Sequence, residues 1–235
     1  MRSIKTKDKE QRLVRELLNT EFSGIIKTPY ISRYLGEIKD CSDELYSHSV
    51  NVAVITMIIG MEVYNNKKDE TELFTSALLH DYGKLSISKR ILDKEDILTR
   101  SERYEMERHP LCGYESLKQD KNLSKNVLMG IMEHHERVNG TGYGRGKREG
   151  DISDFAKIIM IADVYDAMTS DRVYKKKIDR SLVYEYLFSN AGVLFSRSEV
   201  KCFINTTLSL DLDYIISEIN KNIFGNRKEK MVISS

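Results

Sequence analysis

Val50, Val54, Ile55, Ile58 and Ile59 recur at the i, i+4, i+5, i+8 spacing of a single α-helical face. Leu13, Leu17 and Leu18 mark one face of an earlier helix in the same way. The period-2 alternation of half-buried strands is sparse, and only two prolines, Pro29 and Pro110, interrupt the chain. The pattern predicts further helices over 70–80, 101–119, 122–136, 153–169, 179–190 and 208–223, with Pro110 marking a break or a helix start. The expected class is all-α.

At 235 residues the chain can build one substantial core or two small ones. Charged residues make up 31% but the net charge is only +1, so a long nucleic acid would find no global basic field. The longest apolar stretch, residues 50–64, carries Asn51 and Glu62 and falls short of the ~20 residues that span a membrane. The N-terminus is charged and leads into no apolar signal region. Cys41, Cys112 and Cys202 are scattered and odd in number, as expected of reduced thiols. These features predict a cytoplasmic protein that engages neither membrane nor long nucleic acid.

Polar residues inside apolar helical runs carry the chemistry. Glu44 and His48 share a helical face at i, i+4. His80-Asp81 ends the apolar run Ala77-Leu78-Leu79, with Lys84 one turn on. His134-His135 follows Ile131-Met132 and precedes a segment, 139–150, that holds five glycines. Asp163 interrupts an apolar run over 158–164, where a carboxylate needs a cation or strong donors, and Asp166 is its rival one turn later. Imidazole and carboxylate together suit zinc, iron, manganese and similar ions. Each fragment alone also fits an ordinary surface or helix-end role.

Their order and spacing are more telling. His48, HDYGK at 80–84, His109, HHERVNGTGYG at 134–144 and ADVYDAMTSDRVYK at 162–175 together resemble the HD-GYP subgroup of the HD superfamily of metal-dependent phosphohydrolases. The likeness covers roughly residues 40–180, and every histidine of the chain falls on a family ligand position.

The resemblance implies an HD-domain helical bundle and two or three divalent ions, iron or manganese. The ions would be held by His48, His80, Asp81, His109, His134, His135 and Asp163, with Asp81 bridging and Glu44 available for a third ion. It implies a cyclic dinucleotide substrate, typically cyclic di-GMP, cut to the linear dinucleotide or on to GMP by a hydroxide held between two ions. Lys84 would face the scissile phosphate and the leaving oxygen. Arg172 and Lys175 would grip the substrate phosphates, and Tyr143 would contact the substrate. Two other readings stay open: a silent cyclic-dinucleotide sensor acting through a partner, and a phosphohydrolase of another nucleotide.

The expected organisation is an N-terminal helical extension over 1–40, a catalytic core over 41–180, C-terminal helices over 181–224 and a tail over 225–235. The C-terminal helices would pack on the core or on a second copy of the chain. Gly142-Tyr143-Gly144 replaces the family's Gly-Tyr-Pro, and since proline fixes φ where glycine frees it, the loop is expected to be more mobile.

Overall fold

The computed structural model describes residues 4–19, 22–170 and 177–224. Thirteen α-helices occur among them, with no strand and only two isolated β-bridges. They are α1 (Ile4–Asn19), α2 (Phe22–Ile26), α3 (Pro29–Cys41), α4 (Asp43–Val63), α5 (Lys67–Leu79), α6 (Lys89–Leu92), α7 (Arg100–Met106), α8 (His109–Leu117), α9 (Lys125–Glu133), α10 (Asp154–Thr169), α11 (Arg180–Ser189), α12 (Arg197–Thr207) and α13 (Leu212–Phe224). A 3-10 turn, Tyr82–Ser86, follows α5. The all-α expectation holds.

The Val50–Ile59 stripe belongs to the central helix, α4. It is buried on nearly every side, since Val52, Ala53 and Met57 are as inaccessible as Ile55 and Ile59. Helices α5 and α10 cover most of it, and α3, α12 and α13 cover the rest. Each large aliphatic side chain enclosed in this way stabilises the fold by roughly 1.5–3 kcal/mol. By length and composition α4 could cross a membrane, but 72% of its apolar window lies inside the fold. It is the core helix of the bundle, and its burial accounts for its hydropathy.

Helix starts follow local chemistry. The Ser42 hydroxyl accepts from Leu45 N at 3.2 Å to open α4, and Ser124 and Ser153 cap α9 and α10 likewise. Thr99 and Glu102 form a reciprocal capping box at α7. Pro110 lies in the first turn of α8, so the expected 101–119 helix is two helices, with the proline at a start.

The site depends on two layers meeting closely. α5 packs on α9, α9 packs on α8 and α10, and the 3-10 turn lies against α8. At that last contact Gly83 nearly touches the α8 backbone. A Cβ there would sit 1.9 Å from the His109 carbonyl oxygen, so only glycine fits. This contact fixes the turn that carries Asp81 against the helix that begins at His109.

Candidate metal centre

Three of the histidines sit where a helix runs out. His80 follows α5, His109 follows the turn after α7, and His134 follows α9. The last carbonyls of a helix lack intrahelical partners, and each of these rings uses one. His80 Nδ1 donates to Ala77 O at 2.8 Å, His109 Nδ1 to Met106 O at 2.9 Å, and His134 Nδ1 to Ile131 O at 2.7 Å. A carbonyl can only accept, so Nδ1 carries the proton in all three rings. In the neutral ring this tautomer leaves each Nε2 with a lone pair free to ligate.

His48, in the middle of α4, is held differently. Its Nδ1 donates to Asp166 Oδ2 at 2.6 Å, and its Nε2 lies 3.1 Å from Asp163 Oδ1. The rivalry between the two aspartates thus resolves into two roles. Asp163 faces the cluster interior and Asp166 stands behind His48.

Asp81 lies at the centre. Its Oδ2 is 3.3 Å from His80 Nε2, 3.6 Å from His48 Nε2 and 2.6 Å from Lys84 Nζ. Its Oδ1 is 3.1 Å from His109 Nε2 and 3.8 Å from His134 Nε2. Potential ligand atoms converge in two groups, Asp81 with His109, His134 and His135, and His48 with His80 and Asp163. The two oxygens of Asp81 turn toward different histidines.

These residues fit metal ions. His80 Nε2 and Asp81 Oδ1 are fully buried and have no hydrogen-bond partner among the described residues, an arrangement that is costly unless a cation satisfies them. Protonation favours the same reading. Burial, then the neighbouring His80 and His109, hold the His134 imidazole well below its usual range. Burial and the adjacent His134 do the same to His135. Burial alone would raise the Asp81 carboxyl, but Lys84 and His80 hold it well below the carboxylate range. Asp163 is likewise kept ionised against burial by His48. Neutral imidazoles beside ionised carboxylates are the ligating forms, and His134 and His135 present them. His48 differs, since against burial its bonds to Asp163 and Asp166 raise it to about 9, so an ion there would have to displace its Nε2 proton.

The other candidates fall around this cluster. Lys84 faces a cavity of about 410 Å³ that is also lined by Glu44, His48 and Lys89. Glu44 is exposed, belongs to neither ligand group and lies on the rim of that cavity. The Tyr143 ring lies over His135, with centroids 4.4 Å apart and 31° between planes. Arg172 and Lys175 lie outside the described residues.

The glycine-rich loop is more tightly held than its composition predicts. Glu136, buried beside the cluster, accepts from Arg145 N at 2.7 Å and Lys147 N at 3.0 Å. Glu133, also buried, accepts from Lys147 Nζ at 2.7 Å and Ser153 N at 2.8 Å. Tyr143 N donates to His135 O at 3.2 Å, and Gly144 has φ +134°. The expected mobility is therefore corrected: two carboxylates fasten the loop where a proline would have stiffened it. Sequence reasoning passed over Glu133 and Glu136. Their one available signal was two acids flanking the histidine pair at the end of an apolar helix.

Comparison with known proteins agrees with this architecture. A profile of the HD domain matches residues 36–197. The chain is 34% identical over 175 residues to the cyclic di-GMP phosphodiesterase PdeB of Borreliella burgdorferi, covering 74% of this chain and 46% of that protein. It is 35% identical over 171 residues to the 3'3'-cGAMP-specific phosphodiesterase 3 of Vibrio cholerae, covering 71% and 34%. The chain thus spans less than half the length of these curated relatives. Among solved structures, the fold resembles Bd1817, an HDG"Y"P protein from Bdellovibrio bacteriovorus, with a TM-score of 0.58 at 18% identity over 84% of this chain and 68% of that one. The ordered histidines and aspartates, the cluster they form and the matched profile together show that the chain belongs to the HD-domain family, in its HD-GYP subgroup.

Proposed function

We propose that the chain is a metal-dependent phosphodiesterase that hydrolyses a cyclic dinucleotide, with cyclic di-GMP the first candidate. The observation that carries this reading is Asp81, whose two oxygens lie toward two separate groups of histidines. That is the arrangement a carboxylate takes when it bridges a pair of ions. The first ion would be held by His48, His80, Asp163 and Asp81, the second by Asp81, His109, His134 and His135. Iron and manganese suit this imidazole–carboxylate set, and Glu44 could serve a third ion beside His48. When bound, such ions supply Lewis acidity toward phosphoryl oxygens and toward water.

The chain's own groups account for the remaining steps. Lys84, fixed by its 2.6 Å ion pair to Asp81, would hold its ammonium at the mouth of the cavity beside the scissile phosphate. There it can offset charge on the departing 3′ oxygen or donate a proton to it. Arg172 and Lys175 would grip the phosphates from the segment that follows α10, the helix bearing Asp163. Tyr143, lying over His135, would wall the cluster from water on the loop side.

The relatives' names include both cyclic di-GMP and 3'3'-cGAMP as substrates, so the test must span both. Anaerobically purified protein, reconstituted with Mn²⁺ or Fe²⁺, is incubated with each, and the products are separated by chromatography. Linear dinucleotide from at least one substrate supports the reading. Intact substrate in the presence of fully loaded protein would sink it and favour a sensor.

A further inference from the structure

The inference concerns what holds His48, and it rests on the cluster being a metal site. His80, His109 and His134 are oriented by main-chain carbonyls, whereas His48 depends on the Asp166 side chain. A carboxylate can rotate about its terminal bond, so something must fix its plane. Two donors meet on Asp166 Oδ1: Asn51 Nδ2 at 3.0 Å and Ser170 Oγ at 2.9 Å. They leave Oδ2 aimed at His48 Nδ1.

Asn51 is itself fixed from outside the matched domain. Its Oδ1 accepts from Asn220 Nδ2, on α13, at 3.3 Å. The amide can sit only one way round. Flipped, its oxygen would face the Asp166 carboxylate and its NH₂ group would face that of Asn220. Asn220 lies beyond the 36–197 segment that matches the HD domain. Helix α13 packs against α1 and α4, and the buried Glu10 of α1 accepts from Asp211 N at 2.7 Å just before α13 begins. A continuous chain of hydrogen bonds therefore runs from the terminal helix through Asn220, Asn51 and Asp166 to a candidate ligand.

We infer that Asn51 and Asn220 are positioning residues: they set the plane of Asp166 and so the aim of His48, making the divalent-ion affinity of the cluster depend on how α13 is seated. Partners of ligating histidines commonly change metal affinity by about 10–100-fold when removed. Asn51→Leu keeps the side chain's size but donates nothing, and Asn220→Ala removes only the outer donor.

The test titrates the metal-free 235-residue chain with Mn²⁺ and follows free Mn²⁺ by electron paramagnetic resonance. Asn51→Leu should raise the dissociation constant about tenfold or more. Asn220→Ala should raise it less, in the same direction. In the metal-free protein, both variants should shift the His48 Nδ1–H proton resonance upfield, as the bond to Asp166 weakens. Ile219→Val, which loosens a buried contact of α13 without touching the chain of bonds, is the control for a purely structural role. It should lower the melting temperature and leave Mn²⁺ affinity unchanged. Wild-type affinity in Asn51→Leu would overturn the inference while leaving the proposed function standing. So would Ile219→Val weakening Mn²⁺ binding as much as Asn220→Ala. A wild-type protein that binds neither Mn²⁺ nor Fe²⁺ would overturn both.

Discussion

The Nε2 atoms of His109 and His134 face each other 3.2 Å apart, while both Nδ1 atoms are committed to main-chain carbonyls. Two lone pairs at that distance repel unless a proton or a cation lies between them. Burial and the imidazoles of His80 and His109 depress the His134 pKa, which argues against the proton. The pair is thus arranged for a cation, and its geometry leads to the first expectation.

Elemental analysis of anaerobically purified protein should find about two ions per chain, the number a bridged pair requires. Asp81→Ala should lose most of them, because the imidazoles alone leave the ionic charge uncompensated. Mn²⁺ at about 100 times its dissociation constant should stabilise the fold by roughly 2.7 kcal/mol per site, read as a shift of the denaturation midpoint against a chelated control. Equal stability with and without metal would contradict this.

Restoring the family's proline at Gly144 should damage the protein. Gly144 sits at φ +134°, which proline, held near −65°, cannot reach. A Cβ at this position would also come 3.0 Å from Glu136 Oε1, which binds Arg145 N. Gly144→Pro should therefore lose activity with metal content retained, and faster amide exchange over 143–147 should show the loop released. Improved substrate binding in this variant would disprove the geometry.

Arg172→Lys keeps the charge and loses the planar fork that grips a phosphate at two points. Turnover, measured as kcat/KM, should fall on the order of tenfold, with bound metal unchanged. Kinetics identical to the parent would mean that the residue is solvated surface.

The capping box of α7 gives a pH dependence. Hydrogen bonds from Lys94 Nζ at 2.5 Å and from Thr99 hold the Glu102 carboxyl down at about 2, below its unfolded value. A lowered folded-state pKa contributes stability above the unfolded pKa of roughly 4.3 and loses it as pH falls toward 2. Thermal melts of the parent and Glu102→Gln should therefore differ most near neutral pH and converge in acid. A constant gap across that range would rule out the carboxylate as the cause.

Much of this architecture was legible in residue order. The apolar stripe of α4 predicted a helix, and Pro110 a break or a helix start, because side-chain spacing and a fixed φ act locally. The spacing of histidines and aspartates pointed to candidate ligands, and the fold brings their ligand atoms into two groups. Helix α12 went unread because Arg197–Thr207 carries Ser198, Val200, Ile204, Asn205, Thr206 and Thr207, all of weak helical preference, and the helix buries Val200 and Phe203. Helix α3 falls within the helical extension expected over 1–40, although its own stripe of Ile31, Tyr34, Leu35 and Ile38 was not singled out. The roles of Asn51, Asp166 and Asn220 could not be read at all, since 115 residues separate Asn51 from Asp166 and 169 separate it from Asn220. A link of that length exists only once the chain has folded.

Three of the cluster's rings are aimed by carbonyl groups three residues upstream, and the peptide backbone is the same whatever side chains surround it. Substitution around His80, His109 and His134 can therefore alter packing without redirecting them. His48 alone of these four takes its direction from side chains, and side chains can be exchanged. On the proposed metal reading, natural drift or deliberate redesign of ion affinity would have one adjustable jaw against three fixed ones, and the place to turn it would be Asp166 and the residues behind it.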